Sequence, residues 1–289
     1  MTVCIAALAA DFGAVVRVSD KALSYGDYIQ WDSDSSKIIK INPSGTLMLF
    51  SGGEESSSKV LGKFIGRGKE LWRKERNGII RVCEDVYSAA VNDLVEAKFL
   101  RPRFLDRKQY LKAITATSIN DMMRSLADEI KAFDMACDLL VCGFDNFDEP
   151  FIFDLKHPGI VMDMTITGHQ AIGSGWDKAV SRLLFSEHKR IHSIGRTLYD
   201  LFDAKANAEM AVGVGYEWDA VVILRNGYHD VTEEIKNLIE QAWAKFNRSP
   251  FESYDRNKHM ELPPKDWKEK LDSLITSLVE KPTNPNTRE

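Results

Sequence analysis

The order of apolar segments predicts a mixed α+β protein in which two antiparallel sheets pack together between two pairs of helices, a four-layer αββα sandwich. The chain presents a block of strand-like segments, two helices, more strands, two further helices and another strand. A parallel α/β fold would instead place one helix after each strand. The helical segments after the last of these strands are an addition at the C-terminus.

The N-terminal part of the chain consists of short apolar segments separated by turns. Apolar and β-branched residues on both sides of Asp11-Phe12-Gly13 predict a hairpin. The polar cluster Asp32-Ser33-Asp34-Ser35-Ser36 is typical of a loop. The predicted elements, in chain order, are strands at 2–9 and 14–18, a loop with short strand pieces at 22–36, and strands at 37–41 and 46–50.

The middle and C-terminal parts alternate between helices and strands. A long amphipathic helix has one apolar face, formed by Ile79, Val82, Cys83, Val86, Ala90 and Leu94. The other predicted elements are helices from Glu54, at 119–133, 176–188 and 194–210, and strands at 139–144, 151–155, 160–172 and 218–224. Beyond 230 the sequence has two more apolar stripes at helical spacing.

Composition limits the class of protein. The net charge of −5 argues against general affinity for nucleic acid. No apolar run approaches the roughly 20 residues of a membrane span, and no basic residues precede the N-terminal apolar stretch as in a signal peptide. The four cysteines form no CxxC pair and are expected to be buried thiols. We therefore expect a cytoplasmic protein without nucleic-acid or membrane partners.

The first residues suggest a chemical function. Thr2 follows Met1, and small side chains at the second position favour removal of the initiator methionine. An N-terminal threonine then carries a nucleophilic hydroxyl and a basic α-amine in one residue. The reference pKa of an α-amine is about 7.7–8.0, so part of it is neutral at physiological pH.

Several short motifs, taken in their order and spacing, resemble the proteasome β-type subunits, and in particular their bacterial proteasome-like relatives. The motifs are Thr2 before a hairpin, Ser19-Asp20, Lys37-Ile38-Ile39-Lys40-Ile41, Phe50-Ser51-Gly52-Gly53 before a helix, and Ala171-Ile172-Gly173-Ser174-Gly175 before another helix. The resemblance covers about residues 2–225. It implies an N-terminal-nucleophile (Ntn) hydrolase with the αββα fold.

The resemblance also implies a nucleophile and its activating charges. Thr2 attacks a peptide carbonyl once Met1 has been removed. Lys37 lies beside the Thr2 hydroxyl, where its positive charge favours the alkoxide. Asp20 pairs with Lys37 and fixes its position. The expected activity is therefore that of a threonine-type peptidase.

Three further positions complete the site that the resemblance implies. The backbone N–H of Gly52 stabilises the oxyanion, Ser174 hydrogen-bonds near the Thr2 amine, and Ser24 contacts the substrate strand. No metal or organic cofactor is expected. Structural interpretations are also open, because Asp20 can cap a turn, Lys37 can be a solvated strand-end charge and Ser174 can be a helix N-cap.

The resemblance predicts how the chain is organised and what it acts on. The predicted divisions are an Ntn-hydrolase domain at 1–228 with a helical insertion at about 95–118, a C-terminal helical extension at 229–281, and a disordered tail at 282–289. The expected partners are a peptide or unfolded-protein substrate, other copies of the chain in a ring or related assembly, and a possible separate ATPase unfoldase. The C-terminal helices serve either contacts between subunits or the protein's own core.

Two other functions remain open from the sequence. The family has an Asp and a Ser-Gly-Gly sequence where this chain has Glu209-Met210-Ala211-Val212-Gly213-Val214-Gly215. That difference motivates a non-catalytic, structural proteasome-like subunit. A small-molecule amidase with the same nucleophile is the second alternative.

One pair of histidines does not belong to the predicted catalytic site. His188 and His192 are four residues apart on a predicted helix and suit a metal ion by spacing. No third ligand is indicated nearby, so the sequence favours a surface pair.

Overall fold

The structure is a computed structural model that describes residues 2–25, 29–32, 37–41, 47–52, 54–71, 74–116, 120–246 and 266–280. Within these, only the backbone is described for 23–25, 29–32, 47–52, 54–57 and 246. The predictions for the segments from 33 to 36 and from 282 onward lie outside the described residues.

The described strands form two five-stranded antiparallel sheets and one two-stranded sheet. Sheet I has the strand order β10-β1-β2-β11-β12, and sheet II has the order β5-β6-β7-β8-β9. The strands are Cys4–Ala9 (β1), Ala14–Asp20 (β2), Ala22–Tyr25 (β3), Ile29–Asp32 (β4), Ile38–Lys40 (β5), Leu47–Gly52 (β6), Cys137–Phe144 (β7), Pro150–Lys156 (β8), Ile160–Asp163 (β9), His169–Ile172 (β10), Trp218–Leu224 (β11) and Gly227–Asp230 (β12). The predicted mixed α+β class with two antiparallel sheets is confirmed.

The helices lie between the predicted blocks of strands, but in the described residues the first block is followed by four helices rather than the two predicted. They are Glu54–Gly66 (α1), Arg76–Val95 (α2), Arg107–Ile114 (α3), Asp121–Ala132 (α4), Trp176–Phe185 (α5), Ile194–Ala208 (α6), Glu233–Phe246 (α7) and Trp267–Glu280 (α8). All six residues of the predicted apolar face of α2 are buried. None of the helices in the described parts of the chain is long and apolar enough to cross a membrane.

Strand β1 is buried on both faces, which explains its uninterrupted apolar sequence. Alternate residues of a strand point to opposite sides. Val3, Ile5, Ala7 and Ala9 belong to an apolar cluster with residues of α5, α6, α7 and α8. Cys4, Ala6 and Leu8 belong to another cluster that contains Leu140, Cys142 and Ile152 of sheet II. The first strand of the chain therefore lies at the centre of the fold.

A third cluster covers the other face of sheet II. It joins Leu139, Val141, Phe151 and Phe153 of that sheet to residues of α1 and α2. The four cysteines are all buried free thiols. The C-terminal helices also contribute to a core, because Ile235, Ile239 and Ile275 belong to the cluster beside sheet I.

The structure corrects three details of the sequence interpretation. The single strand predicted at 160–172 is wrong, because β9 pairs with β8 in sheet II and β10 pairs with β1 in sheet I. Between them the chain turns at Gly168, which has a positive φ of 77°. Strand β12 was not predicted. Helix α5 ends at Phe185, so the His188 and His192 pair lies in the loop before α6 rather than on a helix.

Candidate active site

The register of three neighbouring strands, β10, β1 and β2, brings together predicted site residues that are far apart in the sequence. Cys4 lies opposite Ser19 of β2 and opposite Ile172 of β10. Extending both antiparallel registers back along the chain places Ser174 opposite Thr2 and Asp20 opposite the next residue, Val3. Residues that are 18 and 172 positions away in sequence thus meet at one corner of sheet I.

The Thr2 hydroxyl lies between a carboxylate and an ammonium group. Thr2 Oγ1 donates a hydrogen bond to Asp20 Oδ1. Lys37 Nζ donates to Thr2 Oγ1 over 2.5 Å and to the same carboxylate oxygen over 2.9 Å. Lys37 precedes β5 and therefore reaches Thr2 from sheet II. The positive charge of Lys37 stabilises any negative charge that develops on the Thr2 oxygen.

Asp20 is completely buried and is held by backbone donors as well as by Lys37. Its Oδ1 accepts from the N–H of Val3 at 2.9 Å, and its Oδ2 accepts from the N–H groups of Ala22 and Gly215, each at 3.1 Å. A buried carboxylate is tolerated when it is paired and hydrogen-bonded in this way. These bonds fix Asp20, and Asp20 in turn fixes the Lys37 ammonium.

The nitrogen of Thr2 is placed against a hydroxyl group. Thr2 N donates to Ser174 Oγ at 3.2 Å, and Ser174 Oγ lies 3.3 Å from the carbonyl oxygen of Val212, to which it donates. Ser174 is exposed, so the site reaches the surface here. After removal of Met1, the same nitrogen would be the α-amine.

Gly173 permits the close approach of β10 to Thr2. A Cβ atom at this position would lie 2.2 Å from the carbonyl oxygen of Thr2, which is far inside van der Waals contact. Gly173 also has a φ of 94°, where residues with a side chain are strained. Both observations explain the requirement for glycine before Ser174.

Two predicted site residues are described only through their backbone. Gly52 is the last residue of β6, pairs with Cys137 of β7, and belongs to a strand that contacts β1. Ser24 lies in β3 opposite Gln30 of β4. The structure thus assembles Thr2, Asp20, Lys37 and Ser174, while the roles of Gly52 and Ser24 stay predictions.

A thiol lies next to the threonine but is not suited to act as a nucleophile. Burial raises the pKa of Cys4 to about 12, an effect that Lys37 opposes only in part. The reactive form of a cysteine is the thiolate, which is scarce at neutral pH when the pKa is this high. Thr2 is therefore the nucleophile that the local chemistry favours.

The segment at 209–215 joins the site through its backbone, which the sequence analysis did not predict. Gly215 donates its N–H to Asp20, and Val212 offers its carbonyl to Ser174. The Glu209 side chain accepts from Lys205 at 2.7 Å. Peptide groups make these contacts, so the side-chain pattern of the segment carries no signal for them.

A second group of polar side chains lies where β1 ends. His188, His192 and Asp200 place one possible ligand atom each within 4.8 Å of one another, which is compatible with a metal ion. Asp200 comes from α6, 8 residues after His192 and 12 after His188. Asp200 is thus the third possible ligand, which the sequence analysis did not identify. The interpretation of the histidines as a surface pair is wrong for His188, because its side chain is only 1% exposed.

Comparisons with known proteins do not identify the chain. No protein-family model matches it, and no curated protein matches it either. The geometry of the site and the chemistry of its residues therefore carry the functional assignment.

Proposed function

We propose that this protein is an N-terminal threonine hydrolase that cleaves peptide bonds after Met1 has been removed. The observation that carries the proposal is the position of the Thr2 hydroxyl, which lies 2.5 Å from Lys37 Nζ and donates to the buried carboxylate of Asp20. Acyl transfer by a hydroxyl requires a nucleophile and a base, which a terminal Thr2 carries as its hydroxyl and α-amine, and a nearby cation favours the alkoxide.

In the first half-reaction, Thr2 Oγ1 bonds to the carbonyl carbon of the substrate and its proton passes to the neutral α-amine of the same residue. Lys37 stabilises the oxygen while it loses the proton. The Gly52 N–H, in its predicted role, stabilises the negative carbonyl oxygen. The C–N bond then breaks, the departing amine takes up the proton from the α-ammonium group, and an ester on Thr2 remains.

In the second half-reaction, water attacks the ester and gives its proton to the α-amine. The C–O bond to Thr2 breaks, the proton returns to Oγ1, and the carboxylic acid product leaves. Ser174 is a positioning residue for both steps, because its hydroxyl lies 3.2 Å from the Thr2 nitrogen. The chemistry balances as the hydrolysis of one amide bond, with no other reactant than water.

The finer architecture and the assembly belong to the same proposal. Apolar clusters on both sides of sheet I and sheet II support a four-layer αββα sandwich. Exposed apolar side chains on α5 and beyond α6 support association with other copies of the chain; they are Trp176, Leu184, Phe185, Met210 and Val212. Assembly into a closed compartment would keep such a peptidase away from folded cellular proteins.

The test is an intact-mass measurement on protein expressed from its native start, with and without a peptide epoxyketone. We expect loss of Met1 and one covalent adduct per chain. Thr2→Ala should lose both the adduct and peptide turnover, because it removes the hydroxyl. Thr2→Ser is the matched control, since it keeps a terminal hydroxyl and amine and should retain the adduct.

Each other outcome assigns a different function. Retained Met1 with no adduct would contradict the hydrolase and favour the structural subunit. Turnover of simple amides without turnover of fluorogenic peptides would contradict the peptidase and favour the amidase. Undiminished peptide turnover by Thr2→Ala would remove Thr2 from the mechanism.

A further inference from the structure

The three side chains at the Leu8 end of β1 form a compact, largely buried group. His188 and Asp200 have side chains that are each 1% exposed, whereas the side chain of His192 is 23% exposed. Asp200 Oδ2 lies 3.2 Å from Nδ1 of His188 and 3.3 Å from Nδ1 of His192. Two ring nitrogens therefore converge on one carboxylate oxygen.

The surrounding hydrogen bonds assign a proton to one ring nitrogen of His188. Nε2 of His188 lies 3.2 Å from the carbonyl oxygen of Leu8, which can only accept, so Nε2 carries a proton. In a neutral imidazole, Nδ1 of His188 then has a lone pair. Nδ1 of His192 accepts only a long contact of 3.4 Å from the N–H of Lys189, and a metal ion would use this lone pair in place of that contact. With both imidazoles neutral, Nδ1 of each histidine and Oδ2 of Asp200 are ligand atoms that one cation can share.

The distances fit a metal ion at this position. Two ligand atoms that are each about 2.0–2.1 Å from a tetrahedral zinc ion lie about 3.3–3.4 Å apart. The two nitrogen-to-oxygen distances in the cluster, 3.2 and 3.3 Å, agree with that separation. We propose that His188 Nδ1, His192 Nδ1 and Asp200 Oδ2 bind one divalent transition-metal ion, with zinc as the preferred ion.

The hydrogen-bond and ion-pair partners of His188 and Asp200 are of the kind that orients metal ligands in proteins. A metal-bound histidine usually donates its other ring N–H to a carbonyl or carboxylate, as His188 does to Leu8. The second oxygen of Asp200 lies 2.8 Å from Nε of Arg196, which leaves Oδ2 for the ion. Two imidazoles and one carboxylate suit zinc among the common divalent ions. Solvent reaches the cluster on the side of His192 and supplies the fourth ligand.

Such an ion would connect three parts of the chain. The loop at 186–193 already contacts the β1–β2 turn, where the N–H groups of Ala10 and Asp11 donate to the carbonyls of His192 and Arg190 at 2.8 and 2.9 Å. Asp200 adds helix α6. The ion would therefore stabilise the end of β1 that is remote from Thr2, independently of the proposed hydrolase activity.

The experiment is a zinc titration of the chelator-treated, full-length protein, followed by calorimetry and by thermal unfolding. We expect one zinc ion per chain and a melting temperature that rises with zinc. Cobalt(II) in place of zinc should give the intense visible absorption of a tetrahedral site. His192→Ala should abolish both the stoichiometric binding and the zinc-dependent rise in melting temperature.

Two further variants keep the test decisive. Arg196→Gln removes only the group that orients Asp200 and should weaken zinc binding about 10–100-fold. It also replaces His192→Ala as the deciding variant if the latter does not fold. His157→Ala, in the turn between β8 and β9, is the matched control and should bind zinc like the wild type. Equal zinc binding by wild type, His192→Ala and Arg196→Gln, or no binding by the wild type, would overturn the proposal and assign protons as the cations of this cluster.

Discussion

At each end of strand β1 lies a buried carboxylate, and the groups that surround it differ between the two ends. At the Thr2 end, a fully buried carboxylate, Asp20, lies beside the Lys37 ammonium at 2.9 Å. At the Leu8 end, the buried carboxylate of Asp200 lies beside two imidazole nitrogens, with Arg196 on its other oxygen. At the first end the cation of the chain contacts both the hydroxyl and the carboxylate. At the second end Arg196 holds one carboxylate oxygen, and the other faces the two imidazole nitrogens with which we propose that it binds a metal ion.

This difference indicates how each end is used. A cation that belongs to the chain is permanently in place, and its charge is available to a reaction at every turnover. A cation that comes from solution binds with an affinity set by its ligands, and it couples stability to its concentration. The two proposals therefore assign catalysis to the Thr2 end and stabilisation to the Leu8 end.

The largest expected effect comes from Lys37→Met, which removes the cation at the Thr2 end while it keeps a similar side-chain length. Asp20 would remain buried without its counter-ion, so we expect the free energy of unfolding to fall by about 3–5 kcal/mol. Peptide turnover should fall by about 10³-fold, because the developing negative charge loses its nearest cation. Urea denaturation and a peptide assay measure the two effects.

The matched variant at the Leu8 end is Arg196→Gln, measured with chelator present. The Arg196 side chain is 49% exposed, so its ion pair with Asp200 is screened and its loss should cost less than about 1 kcal/mol. Equal losses of stability in the two variants would show that both ends depend equally on a cation of the chain.

Much of the Thr2 end is predictable from the sequence because strand registers are local. The turn at Asp11-Phe12-Gly13 fixes the register of β1 against β2, and that register places Asp20 opposite Val3, the residue next to Thr2. The glycine before Ser174 marks a close backbone approach, which the structure explains by the contact with Thr2. Lys37 arrives from another sheet, so these registers do not place it, and the predicted roles of Asp20, Lys37 and Ser174 all came from the resemblance to a known family.

The parts that the sequence did not predict depend on the path of a loop, on contacts of peptide groups or on a change of sheet. Asp200 meets the two histidines because the loop at 186–193 folds back on α6, and no spacing rule relates the three positions. Gly215 and Val212 contact the site with backbone atoms, which any sequence provides. The apolar residues from Ile160 to Ile172 continue across a turn at Gly168, so their pattern does not show that the chain changes sheets.

A smaller effect is expected from glycine substitutions at the two ends of β10. Gly173→Ala places a Cβ atom 2.2 Å from the Thr2 carbonyl at a φ of 94°. The left-handed conformation costs about 1–2 kcal/mol, and the clash adds to it. Displacement of Thr2 by even about 1 Å should reduce turnover about 10²-fold. Differential scanning calorimetry and a peptide assay measure these changes.

Gly168→Ala is the control for the free-energy cost of placing alanine in a left-handed backbone conformation. Gly168 has a φ of 77°, and its Cβ would have no heavy atom within 4 Å. Its carbonyl accepts from the N–H of Leu8, so it lies at the opposite end of β1. We expect a loss of about 1–2 kcal/mol with turnover unchanged. Turnover that falls equally in both variants would mean that Gly173 has no special relation to Thr2.

The smallest effects on stability are expected from two serine hydroxyls, one at each end. Ser174 Oγ contacts the Thr2 nitrogen, whereas Ser193 Oγ accepts from the N–H of Arg196 at 3.2 Å and caps α6. Ser174→Ala should reduce turnover about 10²-fold by disturbing proton transfer at the amine, with little change in stability because Ser174 is exposed. Ser193→Ala should lower stability by about 1 kcal/mol and leave turnover unchanged. Each variant removes a single hydroxyl, so their pH–rate profiles can be compared directly. A profile that shifts in Ser174→Ala alone would show that the Ser174 hydroxyl acts on the α-amine. Identical profiles would mean that Ser174 has only a structural role.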